Sequence, residues 1–265
     1  MSLSLTILGC GSSAGVPRVA QGWGACDPGH PRNRRRRCSA LIARDAPAGR
    51  TLALVDAGPD LRLQLIDAGV ARLDGVLISH EHADHTHGID DLRPIVMAMR
   101  SRVDLYANET TSKALHKKFS YVFETPPGSS YPPMVNEKLL IAGEPSVVEG
   151  QGGAIEATPF DLDHGDIAAL GFRIGALAYT PDLNGIPPAS RRFLEGLEVW
   201  IVDALRYRPH PSHFNLDEAL AWIETMRPRR AVLTNLHTDL DYETLRARLP
   251  AGVVPAYDGM RIEGF

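Results

Sequence analysis

The sequence predicts an α/β fold, on three observations. Short apolar runs of strand length recur along all 265 residues. In the first half they alternate with stretches of helical periodicity, whereas residues 138–180 carry short runs separated by Gly and Asp, the spacing of antiparallel hairpins. Several runs also end on His or Asp, most densely in Leu77-Ile-Ser-His-Glu-His-Ala-Asp-His-Thr-His-Gly88. A hydrophobic content of 44% with 23% charged residues supplies an ordinary core, and the length suits one large α/β domain or two small ones.

Leu3–Leu8 reads as the first strand and ends in Gly9-Cys-Gly-Ser-Ser-Ala-Gly15, where the backbone must turn tightly or approach something closely. The Gly-Lys-Ser/Thr ending of a phosphate-cradling loop is missing. Residues 16–37 form a Pro/Gly-rich excursion. Its Arg34–Arg37 run reads as a solvated face, or as a grip on an anionic substrate if one or two guanidiniums point inward. Cys38–Ala43 and Thr51–Val55 pair as strands, the second running into Asp56-Ala-Gly-Pro-Asp60. Pro59 suits a helix start, with Leu61, Leu65 and Ile66 on the apolar face and Gly69 at the end. Val76–Ser79 is the strand that leads to the His cluster, followed by a helix over Asp90–Met99, a strand at Val103–Ala107 and a helix from about Thr110 to Phe123.

Residues 125–133 are rich in Pro, Gly and Ser and read as a loop or lid. Short strands are expected at Leu139–Ile141, Ser146–Glu149, Ala154–Phe160, Gly171–Ile174 and Ala176–Thr180, then a buried one at Val199–Val202. Asn215-Leu-Asp-Glu218 has the form of a capping box, and Leu216, Ala219, Leu220 and Ile223 share one face of the helix it opens. A strand at Ala231–Leu236, a helix at Tyr242–Leu249 and two short strands close the chain.

A net charge of −4 creates no global field toward nucleic acid or an anionic membrane. No run reaches the roughly 18 apolar residues of a membrane span, and the first nine residues read as a strand instead of a secretory leader. Cys10, Cys26 and Cys38 are an odd count with no disulfide framework, which fits a reducing cytoplasm.

The chemistry concentrates at strand ends. His80, His82, Asp84, His85 and His87 crowd into eight residues after a buried run. Neutral imidazoles with a carboxylate suit a borderline divalent ion, Zn²⁺ or Mn²⁺. His164, Asp182 and His237 each follow a further apolar run. Singly, each is as well explained as a turn residue; the ordered set points to a metal centre.

The series His80-Glu-His82-Ala-Asp84-His85, His164, Asp182 and His237 resembles the metallo-β-lactamase superfamily and its HxHxDH signature, over nearly the whole chain. The resemblance implies one domain over residues 1–265, folded as a four-layer αββα sandwich with the metals at one edge. It further implies two divalent ions per chain: His80, His82 and His164 on the first, Asp84, His85 and His237 on the second, Asp182 bridging, and Asp56 structural. Asp84 then counts as catalytic as well as a ligand, and His87 falls to the surroundings or to solvent. Such a pair lowers the pKa of a water, so a metal-bound hydroxide is the expected nucleophile. Gly9-Cys-Gly, Gly15-Val-Pro17, the Arg-rich stretch before Cys38-Ser39, and Tyr179-Thr-Pro-Asp182 resemble the phosphodiesterase branch. That branch includes the phosphoribosyl 1,2-cyclic phosphate phosphodiesterases of the carbon–phosphorus lyase pathway and, further off, ribonuclease Z.

Asp203 and His213 extend that likeness, an acid and a later His just before a helix. His213, oriented by Asp203, would hold a phosphate oxygen or protonate a leaving alkoxide; His210, between Pro209 and Pro211, is the weaker candidate. Two family features are not matched. The cysteine-rich structural zinc site is reduced to Cys26 and His30, and residues 125–133 are too short for the tRNA-gripping arm of ribonuclease Z. The expected activity is thus hydrolysis of a small, cyclic or nucleotide-like phosphodiester. The competing readings are a thioesterase or lactonase on the same core, a tRNA 3′-processing endonuclease, and a metal-binding scaffold. No nucleic-acid or membrane partner is expected, and a homodimer is among the allowed oligomers.

Overall fold

The structure is a computed structural model that describes residues 2–265. Two seven-stranded mixed sheets divide the chain between them. The first is built from β1 (Ser2–Gly9), β2 (Ser39–Ala46), β3 (Gly49–Val55), β4 (Gly75–Leu77), β5 (Val103–Ala107), β6 (Val135–Leu139) and the returning β14 (Arg261–Glu263), in the order β14-β1-β2-β3-β4-β5-β6. The second holds β7 (Ser146–Val148), β8 (Ile155–His164), β9 (Ile167–Ile174), β10 (Leu177–Thr180), β11 (Val199–Asp203), β12 (Arg230–Thr234) and β13 (Val253–Pro255), in the order β13-β12-β11-β10-β9-β8-β7.

The buried side chains sort into three layers of contact. Leu5, Ile7, Ile42 and Val55 from the first sheet meet Leu170, Phe172, Tyr179 and Ile201 from the second, so the sheets pack face to face. The outer face of the first sheet, with Leu54, Val76 and Leu105, is covered by α1 (Leu61–Asp67), α3 (Arg93–Met99) and α4 (Glu109–Phe123), while α2 (Ala83–Thr86) is the single turn that carries Asp84 and His85. Trp200, Val202 and Leu233 on the outer face of the second are covered by α5 (Leu216–Met226) and α6 (Tyr242–Arg248). The result is the four-layer αββα sandwich.

Each sheet joins an antiparallel part to a parallel one. β3 through β6 run parallel, as do β10 through β13. Parallel strands deliver their carboxyl ends to one edge, where open α/β sheets bind ligands. Asp203 ends such a strand, and Asp56, His80, Asp182 and His237 follow such ends within a few residues.

Several expected elements shift. β8 runs to His164 instead of stopping at Phe160, because Asp161 and Asp163 are exposed while Phe160, Leu162 and His164 are buried; the acids occupy the outer positions of a period-two strand. Residues 139–141 do not form a hairpin strand: the strand is Val135–Leu139, paired parallel to β5 in the first sheet. The Asp90–Met99 helix is split into a 3₁₀ turn, Ile89–Leu92, and α3, with Pro94 in the first turn of the latter, where its missing N–H costs nothing. The Asn215–Glu218 capping box forms in full, and Asn108 caps α4 through Thr111 N. No helix among the described residues is long and apolar enough to cross a membrane.

Candidate metal centre

The His cluster is held from behind by Asp56. This residue is fully buried at φ +64°, a left-handed conformation that Asp tolerates better than most. Its Oδ1 accepts Ser79 N at 2.8 Å and its Oδ2 accepts Ser79 Oγ at 2.9 Å. Oδ2 also takes His85 Nδ1 at 2.7 Å. With its own proton given to Asp56, Ser79 Oγ accepts from His80 Nδ1 at 3.0 Å. One carboxylate thereby fixes the tautomers of two histidines and turns both Nε2 atoms outward, the usual way a ligand imidazole is oriented. Two glycines let the strand-end loops close around this unit: a Cβ on Gly58 would sit 2.0 Å from Asp84 O, and one on Gly88 would sit 1.9 Å from Gly58 O.

Three ring nitrogens then converge. His80 Nε2 lies 3.0 Å from His82 Nδ1, which lies 3.2 Å from His164 Nε2. His164 Nδ1 donates to Ser212 O at 2.6 Å, so its Nε2 is the free nitrogen. A second convergence joins His85 Nε2 to Asp182 Oδ1 at 3.2 Å and to Asp84 Oδ2 at 3.4 Å. Asp182 faces both: its other oxygen, Oδ2, is 3.8 Å from His164 Nε2 and 4.0 Å from His80 Nε2. A carboxylate with one oxygen toward each cluster has the form of a bridging ligand.

These residues fit divalent ions. His85 Nε2 and Asp182 Oδ1 are buried and have no hydrogen-bond partner, an arrangement costly unless something else occupies the space. The groups His80, His82, His164 and His80, His85, Asp182 each bring three ligand atoms within 4.8 Å of one another. Burial, with the neighbouring imidazoles, pushes His80 well below the usual histidine range, and burial takes His164 to about 4. Both are therefore neutral, the state that ligates. Burial opposes the charge on His85 too, but Asp182, Asp56 and Asp84 raise it, so an ion entering there displaces a proton.

His237 stands further out. Its Nδ1 is 3.2 Å from both Asp239 Oδ1 and Thr238 Oγ1, leaving Nε2 as the nitrogen able to ligate. It belongs to neither three-residue group. Sequence reasoning missed Ser79, the Ser212 carbonyl and Asp239, the groups that orient His80, His164 and His237; Ser79, immediately before His80, and Asp239, two residues past His237, were near enough in sequence to be suspected. His87 is exposed and packs edge-on against Phe119, away from the cluster.

Asp203 and His213 do meet. Asp203, fully buried at the end of β11, places Oδ2 at 2.7 Å from His213 Nδ1. His213 in turn stacks edge-on with His164, ring centroids 4.7 Å apart, and its Nδ1 is 3.8 Å from Asp182 Oδ2. Burial acts against the imidazolium, but Asp203 and then Asp182 outweigh it and carry His213 up to about 9.

The arginine run is divided between exposed Arg34, half-buried Arg36 and Arg37, and buried Arg35. Arg36 pairs with Asp67, Arg37 Nε lies 2.9 Å from Asp60 Oδ2, and Arg34 stacks over Trp23. Arg35 is 2% exposed and donates to His237 O at 3.1 Å, Leu240 O at 2.6 Å and Asn33 Oδ1 at 3.2 Å. It ties the early excursion to the loop that carries His237. Cys26 joins the same knot, its Sγ 3.9 Å from Arg35 Nη1 and 3.5 Å from Thr238 O, and His30 stacks on Tyr242. Among the described residues Cys26 enters no group of metal-ligand geometry.

The fold and the site together define an αββα sandwich with a candidate metal centre at one sheet edge. The family model described as a beta-lactamase superfamily domain matches residues 51–235. A solved diphosphatase from the PhnP family is 34% identical, with a TM-score of 0.89 over 100% of this chain and 98% of that one. The chain belongs to the metallo-β-lactamase superfamily, in the phosphodiesterase branch that holds the PhnP family. An octanoyltransferase of Porphyromonas gingivalis is 33% identical over 257 residues, 96% of this chain and 50% of that protein. A ribonuclease Z of Salinibacter ruber is 28% identical over 167 residues, 59% of this chain and 51% of that one. The chain thus spans about half the length of these curated relatives.

Proposed function

We propose that the protein is a dinuclear metal-dependent phosphodiesterase acting on a small phosphodiester, cyclic or nucleotide-like. His80, His82 and His164 would hold one ion, Asp84, His85 and His237 the other, with Asp182 between them. Zn²⁺ or Mn²⁺ suits this donor set. When bound, such ions supply Lewis acidity and a water that ionises near neutral pH. The three free, buried cysteines fit a reducing cytoplasm.

The observation that carries the reading is the 2.7 Å Asp203–His213 pair beside the ligand cluster. Asp203 takes the Nδ1 proton, so Nε2 is the nitrogen left to act. Raised to about 9, the imidazole is protonated at neutral pH and has a proton to give. An alkoxide is a poor leaving group and needs that proton; a thiolate does not. Two relatives, a diphosphatase and a ribonuclease by name, support chemistry at phosphorus. The octanoyltransferase name belongs to a protein about twice as long and carries less weight.

His213 also falls within ligand distance of His164 and Asp182, which favours a second reading of it as a metal ligand. The nitrogen that makes that approach is Nδ1, already committed to Asp203, so the acid role is preferred. His213→Ala decides. It should keep both ions yet lose about 10²–10⁴-fold in turnover of an alkyl phosphodiester, with a smaller loss for a p-nitrophenyl ester that departs unaided. Loss of an ion would make His213 a ligand; unchanged phosphodiester turnover would move the assignment to thioesters or lactones.

A further inference from the structure

Among the described residues five other than glycine have positive φ, and three of them, Ala20, Arg100 and Arg227, are exposed. The other two are buried at matching places in the two sheets. Asp56, at φ +64°, directly follows β3, and Asn235, at φ +60°, directly follows β12. Each is the first residue past a parallel strand, at the edge that carries the candidate ligands. Asp56 uses its position to hold His85 and, through Ser79, His80. A side chain kept in the left-handed region out of solvent at such an edge implies a matching task for Asn235.

The Asn235 side chain reaches across the second sheet. β12 neighbours β11 and β11 neighbours β10, and from the end of β12 the amide Nδ2 donates to Pro181 O, just past β10, at 3.3 Å. A carbonyl oxygen only accepts, so this contact fixes which end of the amide is the nitrogen. The same Nδ2 stands 3.1 Å from His213 Nδ1. Because Nδ1 gives its proton to Asp203 Oδ2 at 2.7 Å, the approach of Nδ2 is a contact between two donors and not a bond. An acceptor in that place would compete with Asp203 for the proton. The other carboxylate nearby, Asp182 Oδ2, lies further off at 3.8 Å.

We infer that Asn235 is the positioning residue for His213, the second sheet's counterpart of Asp56: anchored on Pro181 O, it presents a donor instead of an acceptor to His213 Nδ1 and so reserves that proton for Asp203. The inference rests on the reading of His213 as the acid and extends it to the residue that aims the ring. Asparagine suits the place on two counts. It tolerates the left-handed backbone better than most side chains, and its amide has the N–H that an aspartate of the same shape lacks.

The test is proton NMR of the full chain, labelled with ¹⁵N-histidine and loaded with Zn²⁺, beside steady-state kinetics on an alkyl phosphodiester. The wild type should show a slowly exchanging His213 Nδ1 proton, identified by its absence from His213→Gln. Asn235→Gly accepts the left-handed backbone freely and removes only the amide, whereas Asn235→Asp keeps the shape and supplies acceptors. In both variants the proton should exchange at least about tenfold faster, and kcat should fall about 10–100-fold with KM and ion content as in the wild type. A wild type without the slow proton, unchanged exchange in Asn235→Gly, or an Asn235→Asp variant that behaves as the wild type overturns the assignment, since a residue that only closes the strand end would not act on that proton. Faster exchange in both variants of a protein whose wild type turns over no phosphodiester would leave the role of Asn235 standing and remove only the phosphodiesterase reading.

Discussion

Replacing Arg35 by Met keeps the aliphatic stem but removes the three donors that join residues 16–37 to the His237 loop. His237 O, Leu240 O and Asn33 Oδ1 would each lose a charged partner at 2.6–3.2 Å. A hydrogen bond from a charged donor contributes about 1.5–3 kcal/mol, so a simple sum runs to roughly 5–9 kcal/mol. That sum overshoots, because the bonds share one side chain and the variant no longer buries a cation away from water. The expected net loss is about 3 kcal/mol, or a fall in Tm of roughly 6–12 °C for a chain of this size. Arg35→Lys, with a point charge that cannot fork to three acceptors, should fall between. Because the carbonyl of His237 itself is released, affinity for the second ion should drop by about tenfold, as when partners behind a ligand are removed. Denaturant unfolding gives the first quantity and chelator competition the second. A loss below about 1 kcal/mol with unchanged ion affinity would refute the reasoning, since water would then replace the guanidinium at no cost.

Two further outcomes are expected. Asp182→Ala removes the carboxylate that faces both clusters and should leave fewer than one ion per chain where the wild type is expected to hold two; elemental analysis after gel filtration measures this, and two retained ions would mean the ligand set is misassigned. Asp258 gives a pH dependence: burial pushes its carboxyl up to about 6, against hydrogen bonds from Arg36 N and Cys10. A raised carboxyl favours the protonated fold, so its contribution is full below about pH 4 and is lost as pH rises through 6, at most about 3 kcal/mol for a two-unit shift. Denaturant unfolding from pH 4 to 7.5 should show that decline in the wild type and a flatter profile in Asp258→Asn; identical slopes would count against it.

The candidate ligand histidines were legible because their chemistry is written locally, as one dense cluster and lone residues at the ends of apolar runs. The strands carrying them were legible for the same reason. What failed to read had no local mark. β6 has four exposed residues out of five at a sheet edge, so it shows no burial period. Asp161 and Asp163 read as a break after Phe160, although they are the outward positions of a strand that continues to His164. Arg35 could not be told from Arg34, Arg36 and Arg37, since what buries it is a set of acceptors about 200 residues away in the chain.

The candidate centre draws its ligands from both sheets: His80, His82 and His85 follow the first sheet's β4, while His164, Asp182 and His237 follow strands of the second. Each ion would therefore act as a rivet through the seam of the sandwich, adding a tie to the apolar contact between its halves. Such a rivet tightens with supply. Free metal at a hundred times its dissociation constant would add about 2.7 kcal/mol per independent site to the folded state. Chelation should loosen the seam before it disturbs either sheet. The melting temperature of this protein would then track the free metal around it, making the sandwich a thermometer of metal supply as well as the holder of the site.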